Sequence, residues 1–437
     1  MTRTTFLSLK KTGMKFHSLL FIVMAWHSST VQAQIFTYDS VQVAIINSNP
    51  ELKMYINQAK AMDAMATGAK AWDAPQVSGG FFMTPYNSAY WKPQMMDING
   101  ASSMDPGMGS FMIQGKQMIP NPSRQNATQK YMQAQSAVEL ETQKAIANTL
   151  FAQAKMNYYE IQIIDKKLFI IAEAKKTLQT MITMGESKIA YNQESLASIY
   201  KAKSQLAIIN IDQSMLENER KQKTYALNTL MNRSKEITFQ VDTILVIKEY
   251  EKKSLDTSIL STNRSDVLAL EKNIRVTQLK QKAEQYKSRP DFGIEFGHMF
   301  SFGQNPNLFT LMGMMTIPIA PWSSKMYKSN VLAAQYEIKA MQSQKQNIVN
   351  ESTGMIYGIQ SEIKAIKYQM ELYKTMILPS LQKTYDVAII GYSQNTGELF
   401  MALDARMNLQ MTQIQYYNIV LKLLTLQADY EKQLQLY

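Results

Sequence analysis

The chain has 437 residues, with 46 Lys and Arg against 35 Asp and Glu, no Cys, only 3 His and 31 Met. Its 46% hydrophobic and 19% charged residues are ordinary for a folded protein, which excludes wholesale disorder. Without Cys there is no thiol nucleophile, disulfide or Cys-rich metal site. His298 alone lies beyond the N-terminal segment, and no phosphate-binding, dinucleotide or hydrolase motif is present. We therefore expect a protein that is not an enzyme and needs no cofactor.

Residues 1–33 have the pattern of a signal peptide. Three lysines precede the apolar residues 19–26, and residues 31–33 offer a cleavage site before Gln34. The apolar run is too short to cross a hydrocarbon core of ~30 Å. Its removal takes away Arg3 and three lysines but no acid, which lowers the formal net charge from +11 to +7. The other basic residues form no block of the kind that binds nucleic acid. We expect an exported protein of bacterial type.

Two very long helical patterns dominate the chain. The first covers residues 124–184 and continues, after a break near Asn192, to residue 234. The second covers residues 323–391 and resumes near Asn395 until the C-terminus. Roughly 60 residues of helix reach ~90 Å at ~1.5 Å per residue, far beyond the usual length in a globular domain.

The second pattern has the register of a coiled coil. Its apolar residues recur from Ala334 to Ile377 at a spacing of mostly four and three, with Lys345 and Ser352 as polar interruptions. Pro379 is expected to kink or locally unwind this helix, because proline removes one backbone hydrogen bond.

Short segments with a period of two lie between the helices. In residues 292–302, Phe or another large side chain alternates with a small or polar one, which predicts a strand with one aromatic face. A second strand is predicted at residues 309–318. The first half of the chain has the same plan, with strands at residues 76–86 and 110–120 joined by a loop of roughly twenty residues rich in Gly, Pro, Met and Asn.

The two halves are predicted to be an internal repeat. Residues 192–196 align with residues 395–399 at an offset of 203, and the similarity continues into the next helical turns. This interpretation divides the mature chain into a first repeat at 34–236, a linker at 237–263 and a second repeat at 264–437.

Strands of about ten residues with one aromatic-aliphatic face are typical of membrane barrels. Four strands cannot close a barrel, and open sheet edges are not tolerated in lipid. We therefore expect a mainly α chain with a small β part. Long antiparallel helical hairpins would form a hollow coiled-coil cylinder or α-barrel, and four transmembrane strands per chain would combine in a homotrimer into one 12-stranded membrane barrel. The alternative is a soluble β-sandwich capped by an independent coiled coil.

The sequence resembles the TolC-type outer-membrane efflux protein family over essentially the whole mature chain. The order of several short motifs carries this resemblance: Asn49-Pro50-Glu51-Leu52 in the first helix, Arg264-Ser265-Asp266 with Glu271, Arg289-Pro290-Asp291 before a strand, Pro318 after one, Pro379 before Tyr392, and Leu403-Asp404-Ala405 after Asn395. Ser265 replaces the proline that is usual in the family, and Asn192 and Asn395 stand where many members have Gly.

The resemblance implies a homotrimer of a Gram-negative bacterium, with its barrel in outer-membrane lipid and a helical tunnel across the periplasm. A periplasmic adaptor protein and an inner-membrane efflux pump would complete a tripartite exporter. The chain would then be a passive exit duct for solutes of an efflux or secretion system. Two rival interpretations are a periplasmic coiled-coil adaptor and a structural protein of the envelope, but neither explains the aromatic faces of the strands.

Candidate site residues lie at the two helix breaks. Asn192, Leu196, Asn395 and Leu399 are candidates for adaptor contact, because only tip turns face a partner; plain turn geometry is the alternative. Tyr392 matches a position that the resemblance links to closure. Asp404 could add one carboxylate per chain to a ring at the entrance, although a solvated helix-face carboxylate is the commoner outcome.

Methionines crowd the first strand pair and its loop. Met95, Met96, Met104 and Met108 are candidates for binding a soft cation, because thioethers favour Cu(I) and Ag(I). This would make the exported solute a heavy metal. The alternative is that Met serves here as an adaptable packing residue, as it does along the helices.

Overall fold

The computed structural model describes residues 35–98, 101–252 and 257–436, and the predicted signal peptide at residues 1–33 lies outside that part of the chain. The described helices are α1 (Tyr38–Ser48), α2 (Pro50–Gly68), α3 (Pro122–Ile189), α4 (Leu196–Leu230), α5 (Thr257–Asn263), α6 (Ser265–Tyr286), α7 (Pro321–Leu372), α8 (Leu378–Ser393) and α9 (Leu399–Leu434). The strands are β1 (Ile35–Phe36), β2 (Gln76–Phe82), β3 (Gln94–Ile98), β4 (Ala101–Asp105), β5 (Ser110–Ile119), β6 (Gln240–Val241), β7 (Phe292–Ser301) and β8 (Leu308–Met315). The expected mainly α fold with a small β part is confirmed.

The long helices are confirmed as well. α3 has 68 residues, so it is ~100 Å long at ~1.5 Å per residue. It begins at a strong start signal, because the Asn121 side chain accepts a hydrogen bond from the Ser123 amide and Pro122 occupies the first helical position. Near the sheet α3 packs between α2 and α6, and α6 packs on α7. Farther from the sheet α3 packs on α4 and α9, and α8 packs on α9.

Pro379 coincides with the expected local unwinding. A π-helical turn of five residues, Tyr373–Ile377, separates α7 from α8, and Pro379 is the second residue of α8. Since proline has no amide hydrogen, the turn before it widens rather than closing the usual i to i−4 bond. Apart from this turn, α7 and α8 form one continuous helical segment.

Four strands form one antiparallel sheet in the order β2-β5-β7-β8. Along β7, Phe292, Ile294 and Phe296 are exposed, while Gly293 and Glu295 between them are buried, which confirms the predicted alternation. We call the side that carries these Phe and Ile side chains the aromatic face, and the opposite side the inner face. β2 ends at Phe82, four residues earlier than predicted, because Met83 adopts a left-handed conformation with φ of 48°.

The loop predicted between β2 and β5 contains structure of its own. A short 3₁₀ helix, Ser88–Trp91, is followed by the hairpin of β3 and β4, in which Met95 pairs with Met104. The connection predicted as a loop of roughly twenty residues therefore contains a short helix and two paired strands. Cross-strand pairing satisfies backbone groups that an irregular loop would leave to water.

A buried ionic cluster joins the middle of α3 to the end of α9. The Glu431 carboxylate accepts hydrogen bonds from Lys155, Lys248 and Tyr250. The side chains of Lys155 and Glu431 are only 8% and 4% exposed, and the Tyr250 ring stacks on Tyr430 with centroids 4.4 Å apart. The cluster also brings residues 248–250, which belong to the predicted linker, against both long helices.

Replacing Glu431 with Gln is expected to lower the free energy of unfolding by ~3–5 kcal/mol, because Lys155 would stay buried without its counter-charge. Burial by itself raises the pKa of Glu431, but hydrogen bonds from Lys155, Lys248 and Tyr250 outweigh it and hold this pKa below its usual range. The stabilisation is thus fully present above the ordinary carboxyl pKa and is lost as the pH falls through the lowered value. Urea unfolding followed by helical circular dichroism at several pH values measures both effects.

The matched control is Glu362→Gln, which breaks an exposed ion pair with Lys422 whose N···O distance is 2.6 Å. This change should cost less than ~1 kcal/mol. Equal losses for the two variants would contradict the proposed importance of the buried cluster.

Candidate functional site

The far end of the helical region consists of two turns with the same backbone geometry. Asn192 lies between α3 and α4 with φ of 53°, and Asn395 lies between α8 and α9 with φ of 61°. Asn is among the few residues that tolerate this left-handed conformation without a large penalty. In each turn the chain folds back onto the preceding helix, as the Gln193 amide donates to Lys188 O and the Thr396 amide donates to Gly391 O.

Side chains join the two turns into one tip. Lys188 Nζ donates to the main-chain oxygen of Tyr392 at 2.6 Å and lies 4.0 Å from the centroid of its ring. On the other side Lys201 Nζ lies 3.1 Å from the ring centroid of Phe400. Both contacts are cation–π interactions between the α3–α4 hairpin and the α8–α9 hairpin. One lysine thus links the two hairpins on each side of the tip.

Tyr392 is buried at the centre of the tip. Its side chain packs with Ile199, Leu399 and other residues of a separate apolar cluster. Burial, and after it the neighbouring Glu194 carboxylate in the turn of the other hairpin, raises the pKa of Tyr392 to about 12, so the phenol stays neutral.

The other predicted tip residues do not share one environment. Leu196 is 59% exposed, and Asn192 and Asn395 are also exposed. Leu399 is fully buried, so it has no surface with which to touch a partner and serves packing instead. Asp404 is exposed and accepts a hydrogen bond from Asn408 Nδ2 at 3.1 Å on its own helix.

Sequence reasoning missed Gly185, the position at which α3 passes closest to the other tip elements. A Cβ atom at Gly185 would overlap Ile199 Cδ1 and would lie 3.1 Å from Leu399 Cδ2 and 3.3 Å from Tyr392 Oη. A larger residue here would force the Ile199, Leu399 and Tyr392 side chains to move. The only sequence signal was a glycine inside a helical pattern, which often marks a close approach.

The predicted metal-binding methionines are divided between two places. Met95 and Met104 are direct partners across the β3–β4 hairpin and are both exposed. Met96 pairs through its backbone with Ser103, whereas Met108 lies beyond the hairpin and its amide donates to Tyr90 O. The structure therefore brings together two of the four.

A second group of methionines lies on the inner face of the sheet. Met112 is the register partner of Met299, and Met118 and Met314 are the two register partners of Gly293. Met118 Sδ and Met314 Cε both lie within 3.2 Å of the point where a Cβ of Gly293 would stand. Gly293 thus makes room for two thioether side chains side by side.

The described residues contain no group of three or more His, Asp or Glu side chains that could hold a metal ion. None of the described helices is both long enough and apolar enough to cross a membrane.

Gly185→Ala is expected to destabilise the fold by ~1–3 kcal/mol, because the new methyl group overlaps Ile199 and crowds Tyr392. Gly354→Ala is the matched control, since Gly354 also lies inside a long helix but has no atom within 4 Å of its would-be Cβ. The control should gain up to ~1 kcal/mol from helix propensity. Thermal unfolding of both variants measures the difference, and a stabilising Gly185→Ala would disprove the tight contact.

Neither a protein-family profile nor a curated protein sequence matches this chain. Solved structures do match it. CusC, described in terms of transmembrane channel formation, superposes with a TM-score of 0.69 at 15% identity over 91% of both chains. The CmeC outer membrane channel of Campylobacter jejuni gives 0.69 at 14% identity over 98% of this chain and 94% of its own. The MtrE outer membrane channel of Neisseria gonorrhoeae gives 0.68 at 13% identity over 91% of this chain and 88% of its own. The chain therefore has the fold of these outer-membrane channels.

Proposed function

We propose that this protein is a passive exit duct of the outer membrane, through which solutes leave the cell. The observation that carries the proposal is the open four-stranded sheet with one aromatic face, directly continuous with helices ~100 Å long. An apolar outer surface on this sheet suits a lipid bilayer, because its two central strands have ten residues each and tilted strands of this length cover a band ~25 Å tall.

The edges of the sheet favour a homotrimer. β2 and β8 each have only one partner strand in the described sheet, which leaves one row of backbone groups on each of them without a strand partner. In lipid such an edge must pair. If β8 of one copy pairs with β2 of the next, three copies close a 12-stranded barrel. The same operation places α2, α3, α6 and α7 of each copy in one continuous ring of helices below it.

The tip is the part that would meet a periplasmic adaptor and, with it, an inner-membrane efflux pump. Asn192, Leu196 and Asn395 supply its exposed surface, while Leu399 supports that surface from inside. Tyr392 and Asp404 remain the gate candidates: Tyr392 because it is held by Lys188 of the other hairpin, and Asp404 because its carboxylate is exposed below the tip. Opening would require the contacts between the hairpins to part.

Single-channel recording of the mature protein in planar bilayers tests the duct. We expect small discrete conductance steps from the native protein and larger or longer openings from Lys188→Gln, which removes both the hydrogen bond and the cation–π contact to Tyr392. The control is Lys176→Gln, which changes an exposed lysine of α3 farther from the tip, and it should leave the steps unchanged. Failure of the native protein to insert would favour the rivals, a soluble periplasmic adaptor or a structural envelope protein.

A second candidate function is export of a soft monovalent cation. The thioethers of Met118 and Met314 beside Gly293, and the cross-strand pair of Met95 and Met104, favour this reading because Cu(I) and Ag(I) prefer sulfur ligands. Packing is the competing explanation. In a closed barrel the inner face would line the lumen, so these side chains would lie along the solute path.

Micromolar Ag(I), used as a stand-in for Cu(I), is expected to alter the conductance steps of the native protein. Met118→Leu/Met314→Leu should abolish the response if the inner face binds silver, and Met95→Leu/Met104→Leu should do so if the hairpin does. Met326→Leu/Met401→Leu changes two exposed helical methionines and is the control. An unaltered native trace in silver, or a response that survives both test pairs, would assign the methionines to packing.

A further inference from the structure

A basic groove lies between α3 and α6, close to the sheet. It has a volume of about 350 Å³ and is lined by Lys130 of α3 and by Arg275 and Lys282 of α6, with Tyr286 at one end. No carboxylate is among its described lining residues. Lys130 is distant in sequence from Arg275 and Lys282, and the packing of α3 on α6 brings it to them.

The acidic residues of α6 do not neutralise this groove, because each is bound elsewhere. Asp266 pairs with Arg264, Glu271 with Lys345, and Glu284 with Lys287. Among the salt bridges of the described residues, none includes Lys130, Arg275 or Lys282. Three like charges held together without counter-charges create a local positive potential that attracts an anion.

A fourth cation closes the end of the groove nearest the sheet. Arg289 Nη1 donates to the hydroxyl of Ser123, a lining residue, at 2.7 Å, and the Arg289 guanidinium lies 4.5 Å from the ring centroid of Tyr286. Asp291, two residues later, is already bound by Arg124 at 2.6 Å. The positive surface therefore reaches up to the first residues of β7.

The groove lies next to the start of the aromatic face. Its lining residue Ser123 is bound by Arg289, and Phe292, three residues after Arg289, is the first residue of that face.

We infer that this groove binds the phosphate group of an anionic phospholipid, with the acyl chains running along the aromatic face. The inference rests on the proposed membrane location. Trp72 and Trp322, which are 57% and 85% exposed, lie just before β2 and just after β8, at the level where tryptophan rings mark a membrane–water boundary. Lys282 is about one helical turn, ~6 Å, below Tyr286, and lysine stems extend upward to reach such a boundary.

Binding of short-chain dioctanoyl phosphatidylglycerol to the detergent-solubilised mature protein tests the inference, with dioctanoyl phosphatidylcholine as the neutral lipid. We expect the native protein to prefer the anionic lipid and Lys130→Gln/Arg275→Gln/Lys282→Gln to lose that preference, by roughly fivefold for each cation removed. Lys176→Gln/Lys221→Gln/Lys364→Gln removes the same charge from exposed helical positions and should keep it. Lys282→Gln alone changes one exposed residue, so it provides a milder variant, and it should weaken the preference by roughly fivefold.

Three outcomes would overturn the inference: equal binding of both lipids by the native protein, an unchanged preference in the groove variants, or displacement of the anionic lipid by equimolar inorganic phosphate, which would indicate a site for free phosphate. Conductance in pure phosphatidylcholine bilayers separates this test from that of the duct. A protein that conducts there without any lipid preference disproves the groove alone, whereas one that never conducts disproves the duct.

Discussion

The structure depends on one constraint, the need of a small open sheet to satisfy its two edges while it exposes a continuous aromatic face. β5 and β7 are hydrogen-bonded on both sides, whereas β2 and β8 are each bonded on one side in the described sheet. Water could satisfy those edges, but lipid could not. A sheet that was only a soluble cap would not need Phe292, Ile294 and Phe296 in one exposed row. The proposed assembly of copies within a membrane would account for the aromatic face and the open edges together.

At the junction between the sheet and the helices, helices that are connected to adjacent strands become neighbours. The Asn121 amide donates to Asp291 Oδ1 at 2.8 Å, and Arg124 binds the other oxygen of the same carboxylate at 2.6 Å. One carboxylate at the start of β7 thus fixes both the end of β5 and the first turn of α3. Because α3 and α6 leave adjacent strands, they remain neighbours below them, and this adjacency builds the basic groove. Because the groove arises from the packing of α3 on α6, no local run of basic residues in the sequence indicated it.

The periodic helices and strands could be predicted from the sequence, whereas contacts between segments that are distant in sequence could not. Periods of two and of three to four identified β7 and α3 to within a few residues, since both patterns are local. The β3–β4 hairpin was missed although Asn99-Gly100 is a strong turn signal, because the composition of that segment suggested a loop. The alignment of the two breaks treated Leu196 and Leu399 as equivalent, yet one is exposed and the other buried. Burial depends on which hairpin packs against which, and a repeat in sequence does not encode that difference. The repeat boundaries themselves remain a prediction.

The two ends of the molecule are held together in different ways, and this difference decides where a gate can lie. At the sheet, β5 and β7 are in register over ten residue pairs, so any separation would break a whole ladder of backbone bonds at once. At the tip, the hairpins meet through side chains: Lys188 on Tyr392, Lys201 on Phe400 and the close passage at Gly185. Such contacts break one at a time and cost little backbone energy. A movement that opens the proposed duct is therefore far cheaper at the tip, where Lys188 holds Tyr392 through one hydrogen bond and one cation–π contact.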